Sequence, residues 1–117
     1  MGASVLIVDD HAGFRHHARR LLECEGYRVV GEAADSASAL EAARTIRPEW
    51  VLVDVHLPDA DGFKLTTQIR ALPEAPAVVL TSSRDFSDFD RCVTESGARG
   101  FVPKSELSRS SIEELLR

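Results

Sequence analysis

Val51-Leu52-Val53 runs directly into Asp54-Val55-His56-Leu57-Pro58-Asp59-Ala60-Asp61-Gly62, so a short apolar run ends on a carboxylate and then on turn-forming residues. The same arrangement recurs along the chain. Val5-Leu6-Ile7-Val8 precedes Asp9-Asp10, Val78-Val79-Leu80 precedes Thr81, and Phe101-Val102 stands two steps before Lys104. Neighbouring parallel strands built from these runs would deliver every one of those polar groups to the carboxyl edge of one sheet, where open α/β sheets hold their sites. Three carboxylates, a hydroxyl and an ammonium would then share one cleft.

Between the runs the apolar period changes to helical spacing, giving a βα unit repeated five times. Strands are expected near residues 4–8, 27–33, 50–53, 77–81 and 99–102. The first, third and fourth are nearly all Val, Leu and Ile, which suits a parallel sheet covered on both faces. Phe14, Ala18, Leu21 and Leu22 form the buried stripe of a first helix that Gly26 terminates. Asp35-Ser36 begins a second helix, whose Leu40, Ala43 and Ile46 face inward until Arg47-Pro48 stops it. Leu65, Ile69 and Leu72 mark the third, Phe86, Phe89 and Val93 the fourth, closed by Ser96-Gly97, and Ile112, Leu115 and Leu116 a fifth that Ser105 can cap. Right-handed crossovers leave few topologies for five such units. The commonest is a three-layer (βα)5 flavodoxin-like α/β sandwich with a parallel five-stranded sheet in the order 2-1-3-4-5 and helices on both faces. Its first and third strands flank the switch point, which sets Asp9, Asp10 and Asp54 side by side.

The 117 residues are expected to form one domain, 1–117, without a separate output module. A net charge of −5 and the lack of a Lys/Arg cluster that tracks phosphates speak against direct nucleic-acid binding. No apolar run approaches a bilayer span, and Met1-Gly2-Ala3-Ser4 lacks signal-peptide and myristoylation features, so a cytoplasmic location is expected. Cys24 and Cys92, without metal-ligand spacing, read as reduced thiols half-buried on helices.

Carboxylates crowded together disfavour one another's ionised form unless a cation intervenes. Oxygen ligands with no converging Cys/His set select Mg2+, with Mn2+ as a substitute. A carboxylate beside such an ion is a competent nucleophile toward phosphorus, and Thr81 and Lys104 can serve the remaining phosphoryl oxygens. Taken singly, each residue has an ordinary structural use: Asp9-Asp10 as a helix cap, Asp54 as a turn residue, Thr81 as a capping hydroxyl, Lys104 as a solvated lysine. Together, at matched strand ends, they point to a site. Pro58 and Gly62 fit a tight loop after the nucleophile, with Gly62 permitting positive φ, and Asp61 caps the third helix. His11, His16 and His17 are expected as exposed positions on the first helix without a metal role.

Asp9-Asp10, the segment from Asp54 to Gly62, Thr81-Ser82 and Phe101-Val102-Pro103-Lys104 together resemble the receiver domain of bacterial two-component response regulators, over essentially the whole chain. The resemblance implies that Asp54 is the phosphoacceptor for a histidine kinase, a phosphotransfer protein or a small donor such as acetyl phosphate. It implies that Asp10 binds Mg2+ directly, Asp9 mainly through water and His56 through its backbone carbonyl. Lys104 would pair with the phosphoryl oxygens, and Thr81 and Phe101 would be the switch residues. The face made by the fourth helix, fifth strand and fifth helix would meet partners or a second copy. The catalysis implied is confined to the domain's own phosphorylation and dephosphorylation, so the chain is not read as an enzyme acting on a separate substrate.

Pro103 precedes Lys104 and Ser105 follows it, whereas many receivers place Pro after the lysine; the isomer of that loop stays open at this point. Gly97-Ala98-Arg99-Gly100 and Lys104-Ser105 are similar to the subfamily often joined to helix-turn-helix output domains. Whether the chain stands alone or belongs to a longer protein is left open. A phosphorylation-independent interaction module of the same fold is the alternative reading, and the intact set Asp9, Asp10, Asp54, Thr81 and Lys104 weighs against it. A Mg2+-dependent phosphohydrolase is weighed against by His56, which stands where such enzymes carry an acid. A flavin domain lacks its phosphate loop after the first strand.

Overall fold

The computed structural model describes residues 2–83 and 90–117. Strands β1 (Ser4–Val8), β2 (Arg28–Ala33), β3 (Trp50–Asp54), β4 (Ala77–Ser82) and β5 (Gly100–Pro103) form one sheet in the order β2-β1-β3-β4-β5, every pairing parallel. The intervening helices are α1 (Ala12–Cys24), α2 (Ser36–Ile46), α3 (Gly62–Arg70), α4 (Asp90–Ser96) and α5 (Arg109–Leu116), with a 3-10 turn at Lys104–Glu106. Both the architecture and the strand order follow the sequence expectation.

All five residues of β1 and of β3 are buried, which explains their nearly continuous apolar runs. Alternate side chains supply two cores. Val5, Ile7, Trp50 and Leu52 pack with Ala18, Leu22 and Ile112, so α1 and α5 cover one face. Leu6, Val8, Val51 and Val53 pack with Ala39, Ala43, Leu65, Ile69 and Val93, so α2, α3 and α4 cover the other. A fully buried Leu or Ile here contributes roughly 1.5–3 kcal/mol of transfer free energy. Phe86 and Phe89, expected on the fourth helix, lie outside the described residues.

Local signals hold at most helix ends. Asp35 accepts from the Ser38 amide at 2.8 Å and Asp61 from the Lys64 amide at 2.7 Å, starting α2 and α3. Gly26, at φ 96°, ends α1, and Gly97, at φ 90°, follows α4. Arg47 takes the left-handed conformation at φ 55°, because Pro48 behind it forbids another helical residue.

Some expectations fail. Ser105 lies inside the 3-10 turn, and α5 is capped by Ser108 in a reciprocal box with Ser111, an arrangement contributing about 1 kcal/mol. The apolar period places Ile112 correctly but cannot choose among the four serines before it for the cap. Ile46 faces the sheet, where a Cβ on Gly31 of β2 would meet its Cδ1 at 3.1 Å, but it stays 42 % exposed because α2 ends on it. Cys24 and Cys92 are free and exposed, not half-buried. Every peptide bond among the described residues is trans.

Candidate functional site

Strand register creates the site. Val8 stands opposite Val53, and Asp54 opposite Thr81, so Asp9, Asp54 and Thr81 follow one another across three adjacent strand ends. The Asp9 amide donates to the Ala33 carbonyl at 3.0 Å, which holds this aspartate in line with β1 although it lies beyond the strand. Lys104 enters from the turn after β5. Its Nζ lies 2.6 Å from Asp9 Oδ2 and donates to Asp54 Oδ2 at 3.4 Å. The contact with Asp9 is an ion pair without hydrogen-bond alignment, for Asp9 Oδ2 accepts no hydrogen bond among the described residues.

Asp9, Asp10, His11 and Asp54 each offer a ligand atom, and these atoms lie within 4.8 Å of one another. The donor set is dominated by carboxylate oxygen, and one of those oxygens, Asp9 Oδ2, is buried without a hydrogen-bond partner among the described residues. Hard divalent cations fit such a set. The three aspartates therefore converge as expected.

His11 is the member that sequence reasoning set aside. It occupies the N-cap position rather than the helix, with its amide donating to Asp9 Oδ1 at 2.8 Å and its Nδ1 3.3 Å from Asp9 Oδ1 and 3.1 Å from Asp10 Oδ1. Adjacency to Asp9-Asp10 was the available signal, since a residue two past Asp9 can close an Asx turn back onto it. His16 and His17 are exposed on α1 as expected.

Asp54 is more enclosed than a solvent-facing nucleophile would be, with 3 % of its surface exposed. Its neighbours reach the surface: the Asp10 side chain is 35 % exposed and His56 is exposed. Burial pushes the Asp54 carboxyl above the usual carboxylate range, and Asp9 adds to the rise. The His56 amide, donating to Asp54 Oδ1 at 3.1 Å, and the Lys104 ammonium oppose it.

The loop after Asp54 is tight and tied at its apex. The Gly62 amide donates to the Val55 carbonyl at 2.7 Å, and His56 and Asp61 form a bridge. Gly62 lacks the positive φ expected of it; it is needed for space, because a Cβ there would meet the Asp54 carbonyl oxygen at 2.4 Å. Asp59, to which the sequence assigned no role, accepts from the Ser36 amide at 2.9 Å, the Ser36 hydroxyl at 2.7 Å and the Ala37 amide at 3.2 Å. Those donors hold its carboxyl below the usual range, led by the Ser36 hydroxyl. No local pattern could reveal a partner twenty-three positions away.

Thr81 is fully buried, and its hydroxyl oxygen has no hydrogen-bond partner among the described residues. A buried hydroxyl beside a carboxylate cluster is a donor held ready. Phe101 stands opposite Leu80 in the β4–β5 ladder and packs half-buried against the α2/α3/α4 core. Pro103 stands opposite Ser82, just before Lys104. No described helix is long and apolar enough to cross a membrane.

Residues 5–117 match the family described as response regulator receiver domain. The transcriptional regulatory protein PdtaR of Mycobacterium tuberculosis is 38 % identical over 102 residues, which is 86 % of this chain and 48 % of that protein. The chain spans about half the length of the curated relatives it matches. Among solved structures, a LuxR-family two-component response regulator from Aurantimonas superposes with a TM-score of 0.88 at 33 % identity, over 99 % of this chain and 86 % of that one. A CheY-like receiver domain from Methylobacillus flagellatus gives 0.85 at 27 % identity, over 99 % and 97 %.

Proposed function

We propose, for a chain that belongs to the response regulator receiver domain family, that Asp54 accepts a phosphoryl group in a two-component signalling system and that this charge event switches a partner-binding face. The donor is the phosphohistidine of a histidine kinase or phosphotransfer protein, or a small acyl phosphate. The observation that carries this reading is the convergence of Asp9, Asp10 and Asp54 on one point, with the Lys104 ammonium already between two of them.

Asp10 and Asp54 would hold Mg2+, or Mn2+ in its place, with Asp9 acting through water and His56 through its backbone carbonyl. The ion supplies charge neutralisation at the equatorial phosphoryl oxygens. A carboxylate oxygen of Asp54 attacks phosphorus in line, the bond from phosphorus to the donor's imidazole nitrogen breaks, and the imidazole departs with that electron pair. Lys104 moves from Asp9 to a phosphoryl oxygen, an exchange of one anionic partner for another. The Thr81 hydroxyl, unpartnered among the described residues, donates to a second oxygen, and Phe101 turns toward the space that Thr81 leaves. The face of α4, β5 and α5 then changes shape for a downstream protein, an output segment or a second copy of the chain. The role is regulatory and cytoplasmic, without contact to nucleic acid by this domain; turnover is limited to the domain's own acyl phosphate.

Incubation with Mg2+ and acetyl phosphate is expected to form one base-labile acyl phosphate, located at Asp54 by mass spectrometry. Phosphate-free protein after this treatment would favour the constitutive interaction module, and turnover of added phosphoesters would favour a hydrolase. His56, exposed and two residues past Asp54, is in this reading the side chain that obstructs a water molecule approaching the acyl phosphate. His56→Asn is therefore expected to lose phosphate several-fold faster in a phosphate-release assay, about 1 kcal/mol of barrier. Equal or slower loss in the variant removes that role from His56.

A further inference from the structure

Phe14 reads in the sequence as one more member of the apolar stripe on the first helix. In the fold it is half-buried, packed against the core beneath α1 and α5, and it also presents its ring face to Lys104, whose Nζ lies 4.2 Å from the ring centroid. The Lys104 side chain is 17 % exposed, and among the described residues its ammonium meets Asp9 Oδ2 at 2.6 Å, Asp54 Oδ2 at 3.4 Å and the face of Phe14. Two of these partners are anions with other duties. Asp9 is wanted by a cation, and Asp54 gives up its carboxylate charge when it becomes an acyl phosphate, whose charge lies on the phosphoryl oxygens. An ammonium released by both before a phosphoryl oxygen reaches it would swing out into solvent, because a lysine stem is flexible.

An aromatic face attracts a cation through its quadrupole without carrying net charge. It can hold the ammonium in place while leaving its N–H groups free for an incoming anion. A carboxylate in the same position would hold Lys104 as firmly but would repel the phosphoryl group. A leucine would fill the space and offer nothing to the charge. We propose that Phe14 is a positioning residue for Lys104: its ring keeps the ammonium at the phosphoryl position while Asp9 and Asp54 change partners. This rests on the reading of Asp54 as phosphoacceptor.

The test compares the whole chain with Phe14→Leu, Phe14→Trp, Lys104→Ala and the Phe14→Leu/Lys104→Ala double variant. The rate of acyl phosphate formation at saturating Mg2+ is followed long enough to measure slow variants, and Mg2+ affinity is measured by calorimetry. Phe14→Leu is expected to slow phosphorylation about fivefold, with Mg2+ affinity and Tm close to the parent, while Phe14→Trp stays within about twofold. In the Lys104→Ala background, removal of the ring should have no further effect, since the two changes act on one interaction. A fivefold loss that persists without Lys104 makes Phe14 a packing residue and overturns the proposal, as does a Phe14→Leu rate equal to the parent's. A parent protein that forms no acyl phosphate overturns the phosphoacceptor reading itself, and the role of Phe14 falls with it.

Discussion

Asp54→Asn is expected to lower acyl phosphate formation to assay background, a loss on the order of 10³-fold or more, because no other described carboxylate is placed to replace the nucleophile between Thr81 and Lys104. The same substitution is expected to stabilise the metal-free protein. Burial and Asp9 both oppose ionisation of Asp54, so its pKa is raised on folding. A carboxyl with a raised folded pKa costs nothing while protonated in both states; stability then falls as pH rises from the usual carboxylate range through the folded value. The amide removes that penalty, and Lys104 keeps Asp9 at 2.6 Å. At neutral pH without Mg2+ the gain should be about 1 kcal/mol, roughly 5 °C in Tm for a domain of this size. The advantage should vanish near pH 3 and shrink at millimolar Mg2+, which compensates the parent's carboxylates. Thermal melts across pH, with and without Mg2+, read this directly. A variant less stable than its parent at pH 7 without Mg2+ would mean that Lys104 outweighs burial.

Gly62→Ala is expected to cost about 3 kcal/mol, roughly 15 °C in Tm, and to slow phosphorylation more than tenfold. A Cβ at this position meets the Asp54 carbonyl oxygen at 2.4 Å, the Val55 Cα at 2.9 Å and the Asp54 carbonyl carbon at 3.1 Å. All three are backbone atoms of the strand end that presents the nucleophile. No side chain can rotate away, so either β3 or the start of α3 must shift. Either shift stretches the Gly62 to Val55 hydrogen bond and displaces Asp54 from Thr81 and Lys104. Urea unfolding and the initial phosphorylation rate measure the two effects separately. An alanine variant with the parent's stability would show that the loop relaxes without touching the strand.

The reading of Gly62 illustrates how far sequence carries. Turn-forming residues after Asp54 announce a tight loop, and the loop is there. The reason for glycine is different: the backbone of α3 packs against the backbone of β3, and steric closeness between segments leaves no trace in local composition. The cap of α5 failed for a related reason, since Ser105, Ser108, Ser110 and Ser111 all suit a cap by residue type, and the fold uses Ser108, reciprocated by Ser111. Asp59 and His11 were visible as residues and silent as contacts. Asp59 reaches the start of α2, and His11 turns back onto Asp9 and Asp10.

What the amino-acid order determined alone was the alternation of strand and helix, the two-sided burial of β1 and β3, and the placing of a reactive polar residue just past each central strand. These follow from periods of two and 3.6 residues, which act over a few neighbours. The tertiary structure decided everything that depends on distance through space: that Lys104 lies between Asp9 and Asp54, fifty positions from the latter, that Phe14 presents a ring face to it, and that Asp54 is enclosed enough to resist ionisation. Parallel pairing converts separate strand ends into one electrostatic site, and electrostatics depends on separation and burial rather than on order along the chain.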